Sequence, residues 1–202
     1  MTLNKWDRRY LAVAMQVSHW SKDPRSKMGA VIASAERRLV ALGYNGFPKN
    51  VHDCDVRLRT PEIKYEMVVH AEANAALIAG SAAKGGTVYV YGPRPICGPC
   101  AGILIQAGIR RAVAIAPCDE IEANPVSDCT QADWIKKGRI AIDMFVDAHV
   151  EFEQVDNKIA VEEIFTALIE WAERNKSAEE IACKLRNVHE LIAAVAAFDM
   201  PP

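Results

Sequence analysis

The chain has 202 residues, half of them apolar, and a formal net charge of −2. That size and composition exclude a disordered chain and allow one domain with a sizeable core plus a small appendage. The charge leaves no basic footprint for a long polyanion, which argues against nucleic acid as a partner but not against a small phosphorylated ligand.

No stretch reaches the length of a membrane span. The start, MTLNKWDRRYLAVAMQV, lacks the long apolar run of a signal peptide. A cytoplasmic protein without membrane contact is therefore expected. The cysteines at 54, 97, 100, 118, 129 and 183 form no dense disulfide framework. In a reducing compartment the close pair reads as metal ligands or a redox motif.

In chain order, Asn4 to Trp20 carries Trp6, Tyr10, Ala14 and Val17 at helical spacing. Asp23, Pro24 and Ser26 mark a loop. Met28 to Ser34 and Arg38 to Tyr44 read as two strands joined tightly enough to form a hairpin. Asn45 to Pro61 is long, polar and rich in turn residues, as functional loops often are. A helix is expected over His70 to Ala79, stopped by Gly80, and a strand over Thr87 to Tyr91. A helix over Gly98 to Ala107, ended by Gly108, leads to a strand over Arg111 to Ala116. A last helix–strand pair follows over Gln131 to Val146 and His149 to Glu153. Strands that alternate with helices predict an α/β fold with a mostly parallel sheet covered on both faces. Beyond it, Ile159 to Asn175 and the run from Ser177 through Ile192 have the apolar spacing of two amphipathic helices.

Two short motifs carry chemistry: HAEANA, His70 to Ala75, and CGPC, Cys97 to Cys100. A catalytic zinc needs three protein ligands and one open position. His70 opens one expected helix; Cys97 precedes another, and Cys100 falls in its first turn. Helix N-termini lower cysteine pKa values and so favour the thiolates a metal requires. Glu72, two residues after His70, can reach a metal-activated water from a helix start and carry its proton to substrate. Taken singly, the parts have plainer readings. CGPC alone is also a thioredoxin-like redox pair, or half a structural zinc site that lacks a second CxxC. Cys118 and Cys129 are core residues or spare ligands, and a lone histidine at a helix start is commonly packed or capping. Jointly, H-x-E followed by P-C-x-x-C is the pattern of zinc deaminases acting on cytosine or adenine. Here Ile96 stands where the proline belongs, with Pro95 one place earlier.

Further segments make the chain resemble deoxycytidylate (dCMP) deaminases. They are KDPRSKMGAVI (Lys22 to Ile32), GYNGFP (Gly43 to Pro48), KYEMVVHAEANA (Lys64 to Ala75) and AGILIQAGI (Ala101 to Ile109). They keep the family's order from Trp6 to about Glu153. The resemblance implies a three-layer α/β/α cytidine-deaminase-like fold with a five-stranded mixed sheet. With the two helices read from the apolar spacing, the chain divides into a deaminase domain, 1–155, and a C-terminal two-helix extension, 156–202. The resemblance implies hydrolysis of dCMP to dUMP with release of ammonia, with Zn2+ held by His70, Cys97 and Cys100 and the proton shuttled by Glu72. Asn45 matches the family's sugar-binding asparagine, and Ala71 offers a main-chain N–H to the base carbonyl. A homo-oligomer, dimer or hexamer, is also implied.

The chain departs from the family in three places. YGPRPIC (Tyr91 to Cys97) is longer than usual and brings Arg94 to the pocket's border, as a phosphate contact or a solvated turn residue. Asn50 stands where the family often has glycine, which argues against dCTP or dTTP effectors at the GYNGFP segment. The helical tail lies outside the resemblance. The departures leave room for another amino-bearing pyrimidine, purine-like base or nucleoside as substrate. A non-catalytic zinc-binding interaction module is the remaining alternative. Lys22, Arg25, Ser26, Lys27, Arg57, Arg59 and Lys64 are further phosphate candidates, and Tyr65 and Tyr91 candidate pocket walls.

Overall fold

The computed structural model of the chain describes residues 3–116 and 130–156. The chain divides into two units, Met1–Asn157 and Lys158–Pro202, and the described residues belong to the first. The two helices expected in the tail, and Cys118, Cys129 and Cys183, lie outside the described residues.

Helix α1 spans Lys5–Ser18 and starts at a capping box, in which Asn4 accepts from the Asp7 N–H and Asp7 accepts from the Asn4 N–H. Strands β1, Gly29–Ala33, and β2, Leu39–Tyr44, follow as the expected antiparallel hairpin. The segment expected as a long loop, Asn45 to Pro61, contains a short helix, α2 at Asp55–Arg59, and a second short helix, α3 at Pro61–Met67, starts at its end. Five and seven residues are too few to display an apolar period, and each helix buries one side chain, Leu58 and Lys64. Helix α4 covers Ala71–Ala79 and ends at Gly80, whose φ of 53° suits a residue without a Cβ. Strand β3, Thr87–Tyr91, helix α5, Gly98–Gln106, and strand β4, Arg111–Ala116, come next. Helix α6, Thr130–Asp147, and strand β5, Glu151–Asp156, complete the unit.

The five strands lie in the order β2-β1-β3-β4-β5. β3, β4 and β5 pair in parallel, but β1 is antiparallel to both neighbours. The sheet is therefore mixed, as the resemblance implies, and not mostly parallel as the alternation alone suggests, because the hairpin joins the βαβ units through β1. Side-chain alternation supplies both faces. Ala30, Ile32, Val88, Val90, Ala112 and Ala114 enter the core formed with α4, α5 and α6. Val31, Tyr89 and Val113 are buried as well, on the opposite face, where α1 packs. The arrangement is the three-layer α/β/α fold. Among the described residues, no helix is long and apolar enough to cross a membrane.

Candidate active site and metal centre

The site forms where α4 and α5 begin. His70 is the residue that precedes α4, and Cys97 the one that precedes α5; both backbones are extended, and neither side chain caps its own helix. Their side chains are thus free to point away from the helix ends. Cys100 follows in the first turn of α5. The three ligand atoms lie within 4.8 Å of one another. His70 Nδ1 is 3.3 Å from Cys100 Sγ and 3.4 Å from Cys97 Sγ, so Nδ1 is the nitrogen that faces the sulfurs. Tetrahedral zinc with ordinary bond lengths holds nitrogen and sulfur roughly 3.6 Å apart. The set fits zinc with an adjustment of a few tenths of an ångström.

The electrostatics favour a cation. A hydrogen bond from Cys100 draws the Cys97 thiol down to about 4 against the opposing effect of burial, with His70 adding to the shift. The same bond, together with burial, pushes Cys100 up. Without a cation the pair thus shares one thiolate; a bound dication lets both ionise. The N–H of Cys100 bonds Cys97, and the N–H of Ala73 bonds Cys100. These are donors from the first turns of α5 and α4, where intrahelical partners are lacking.

Glu72 is 2% exposed. Burial raises its pKa above the ordinary carboxylate range, opposed by His70 and by its own N–H. A buried carboxyl at the edge of the metal set, biased toward holding a proton, has the properties of a general acid–base group.

A cleft opens at His70 and Glu72. On one wall stands Asn45, which is buried. Its Nδ2 donates to Ser26 O at 2.8 Å and Asp23 Oδ2 at 3.4 Å, and its Oδ1 accepts from the Met28 N–H at 2.8 Å. The amide hydrogens are taken by the protein, and the second lone pair of Oδ1 remains for a ligand. Beside it Lys64 reaches Asp23 at 3.1 Å, with both side chains almost fully buried. Asp23 also accepts from the N–H groups of Arg25 and Ser26, which fixes the loop at the cleft edge. Arg94, Pro95 and Trp134 also line the cleft.

Of the basic residues considered from sequence, Lys64 and Arg94 line the cleft. Lys22 pairs with Asp53, Arg59 with Asp55, Arg57 with the His52 carbonyl and Lys27 with the Ser21 carbonyl. Tyr65 lines the cleft; Tyr91 is not among its lining residues. Sequence reasoning missed Trp134, which looked like one apolar position of a long helix, and the Asp23–Lys64 pair, whose members are 41 residues apart.

Residues 4–132 match the profile of the cytidine and deoxycytidylate deaminase zinc-binding region. The chain belongs to this family. It is a zinc-dependent deaminase, and the His70, Cys97 and Cys100 cluster supplies the ligand set that such an enzyme needs. The deaminase is 37% identical over 151 residues to an uncharacterized deaminase in the luxG 3' region of Aliivibrio fischeri, covering 74% of this chain and 92% of that one. It is 40% identical over 117 residues to the deoxycytidylate deaminase of Homo sapiens, covering 54% of this chain and 64% of the human one. The match thus spans less than two thirds of the human enzyme's length. The crystal structure of dCMP deaminase from the cyanophage S-TIM5 in apo form gives a TM-score of 0.54 at 21% identity, over 76% of this chain and 100% of that chain. Acinetobacter baumannii RibD, form 1, gives 0.51 at 23% identity, over 78% and 37%. These two likenesses concern the fold.

Proposed function

We propose that the deaminase hydrolyses dCMP to dUMP and ammonia. The observation that carries this is the buried carboxyl of Glu72 beside the His/Cys/Cys set, in a cleft that Asn45 and Arg94 also line. Relatives named deoxycytidylate deaminases support the choice of substrate.

Zinc, held by His70, Cys97 and Cys100, supplies Lewis acidity that lowers the pKa of water and stabilises charge on oxygen. The remaining work falls to this chain's residues. Glu72 takes a proton from the water whose oxygen forms a bond to C4 of the base, and passes it to N3. It then transfers the second water proton toward the amino group as the C4–N bond breaks and ammonia leaves. Water and dCMP are consumed, and dUMP and ammonia are formed. Burial of Glu72 suits both halves, since a raised pKa lets one group accept and return a proton. Ala71, at the start of α4, donates its N–H to the base carbonyl. Asn45 accepts from the sugar hydroxyl through its remaining lone pair. Arg94 contacts phosphate.

We also propose that the deaminase works as a homo-oligomer. Leu77 and Ile78 on α4 are 74% and 67% exposed, and Ile103 on the neighbouring α5 is 40% exposed, an apolar patch suited to a second copy.

The substrate assignment is tested by kcat/KM for dCMP, CMP, deoxycytidine and cytosine with the zinc-loaded protein. The highest value is expected for dCMP. An equal or higher value for the nucleoside or the free base rejects the nucleotide reading and leaves the zinc chemistry standing.

A further inference from the structure

We propose that Lys137 and Arg94, held over the ring of Trp134, form a clamp for the phosphate monoester of the substrate; this rests on the nucleotide reading above and adds two residues to it, Lys137 and Trp134. The guanidinium carbon of Arg94 lies 5.7 Å from the Trp134 ring centroid, and Lys137 Nζ lies 4.8 Å from it. The same ring stands 5.9 Å from that of His70, which puts the clamp next to the metal ligands.

The cluster is built from two chain segments that touch. Trp134 and Lys137 are three apart on α6 and so share a helix face. Pro95, next to Arg94, packs on the same helix one residue further on: a Cβ at Gly138 would fall 2.9 Å from the proline ring. The loop that carries Arg94 is longer than the resemblance leads one to expect, and its extra length ends against α6. Arg94 is therefore positioned by packing.

Charge decides the ligand. Among the described residues, no carboxylate pairs with Arg94 or Lys137. Each is attracted to the indole of Trp134, which keeps two like charges close to one ring. An anion between them removes their repulsion. Arginine offers a planar fork that fits phosphate oxygens, and lysine a mobile point charge. The other cation of the cleft is different. Lys64 is neutralised by Asp23, with side-chain exposures of 6% and 5%, so drawing it toward a ligand would strand a buried carboxylate. The phosphate therefore belongs on the Trp134 wall. Trp134 is a positioning residue that holds both cations and packs on His70.

The test compares kcat/KM for dCMP with kcat/KM for deoxycytidine, in the zinc-loaded wild type and in Lys137→Met, Arg94→Gln and the double variant. Lys136→Met, the neighbour of Lys137 and exposed like it but without its contact to the Trp134 ring, controls for net charge. Removing a charge-assisted contact should lower the dCMP-to-deoxycytidine ratio by about tenfold or more in each single variant, mainly through KM for dCMP. The ratio in Lys136→Met should stay at the wild-type value. A wild type that prefers dCMP, with that preference kept in all variants, overturns the clamp and spares the nucleotide reading. A wild type without the preference overturns both.

Discussion

The carbonyl oxygen of Ala71 occupies the place where a side chain on Gly43 would stand: a Cβ there would fall 2.2 Å from it. This contact seats the start of α4 directly on β2. The bridge between Gly46 and Val69 fastens the next stretch of GYNGFP to the entry of the same helix. His70 and Glu72 thus take their positions from the strand beneath them. In Gly43→Ala, α4 must shift, at a cost of roughly 1–3 kcal/mol typical of overpacking. Zinc retention against a chelator should weaken about tenfold or more, as when the support of a metal ligand is lost. Thermal melting and chelator competition read the two effects; an unchanged zinc affinity would show that the helix start is set by something else.

Cys97→Ser removes one of three ligands. The purified wild type should carry about one zinc per chain, and the variant only a small fraction of that. Metal analysis of both proteins checks this. Equal zinc content in the two would mean that Cys97 is not a ligand.

Acid should weaken the fold through Asp7. Its carboxylate is 2% exposed and forms paired contacts with Arg111, including one of 2.6 Å. Burial opposes its charge, but the Arg111 hydrogen bonds and positive charge outweigh that and hold its pKa below the ordinary value. A lowered folded-state pKa contributes stability that is present above the unfolded pKa of about 3.9 and is lost as pH falls through the folded value. Asp7→Asn should cost about 3 kcal/mol near neutral pH, as breaking a buried pair does. The gap from wild type should shrink as pH falls below roughly 4. Urea unfolding across that range measures it; a gap independent of pH would contradict the linkage.

Light scattering should find more than one chain per particle at micromolar concentration. The paired substitutions Leu77→Asp and Ile78→Asp should shift the deaminase toward monomer by placing charges in the exposed patch. A wild type that is monomeric throughout would reject this face as a contact between copies.

The metal set was legible because its chemistry is local. A histidine just ahead of one helix, and two cysteines at the start of another, can be placed once the helix starts are read from periodicity and the Gly80 and Gly108 stops. Strands β3 and β4 fall on the residues expected, since apolar alternation between turn signals is also local. The second neighbour of β1 was not legible: the hairpin with β2 was expected, but nothing within GAVIA says that β3 lies antiparallel on its other side. Helices α2 and α3 were hidden by their shortness. Trp134 was missed because the side of α6 that meets the cleft depends on the packing of Gly138 against Pro95, a tertiary contact. Asn50 is an instructive case in between. Its φ of 68° is the left-handed conformation natural to glycine and best tolerated by asparagine, so the exchange preserves the backbone turn.

The most direct measurement is dUMP and ammonia formed from dCMP by the zinc-loaded wild type and by Glu72→Gln, with zinc content determined on the same samples. The wild type should release the two products in equal amounts. The variant should keep its zinc and lose about 10²–10⁴ in rate, the usual contribution of a positioned general acid–base group. Near-normal turnover in the variant, or no dUMP from the wild type, would contradict the account.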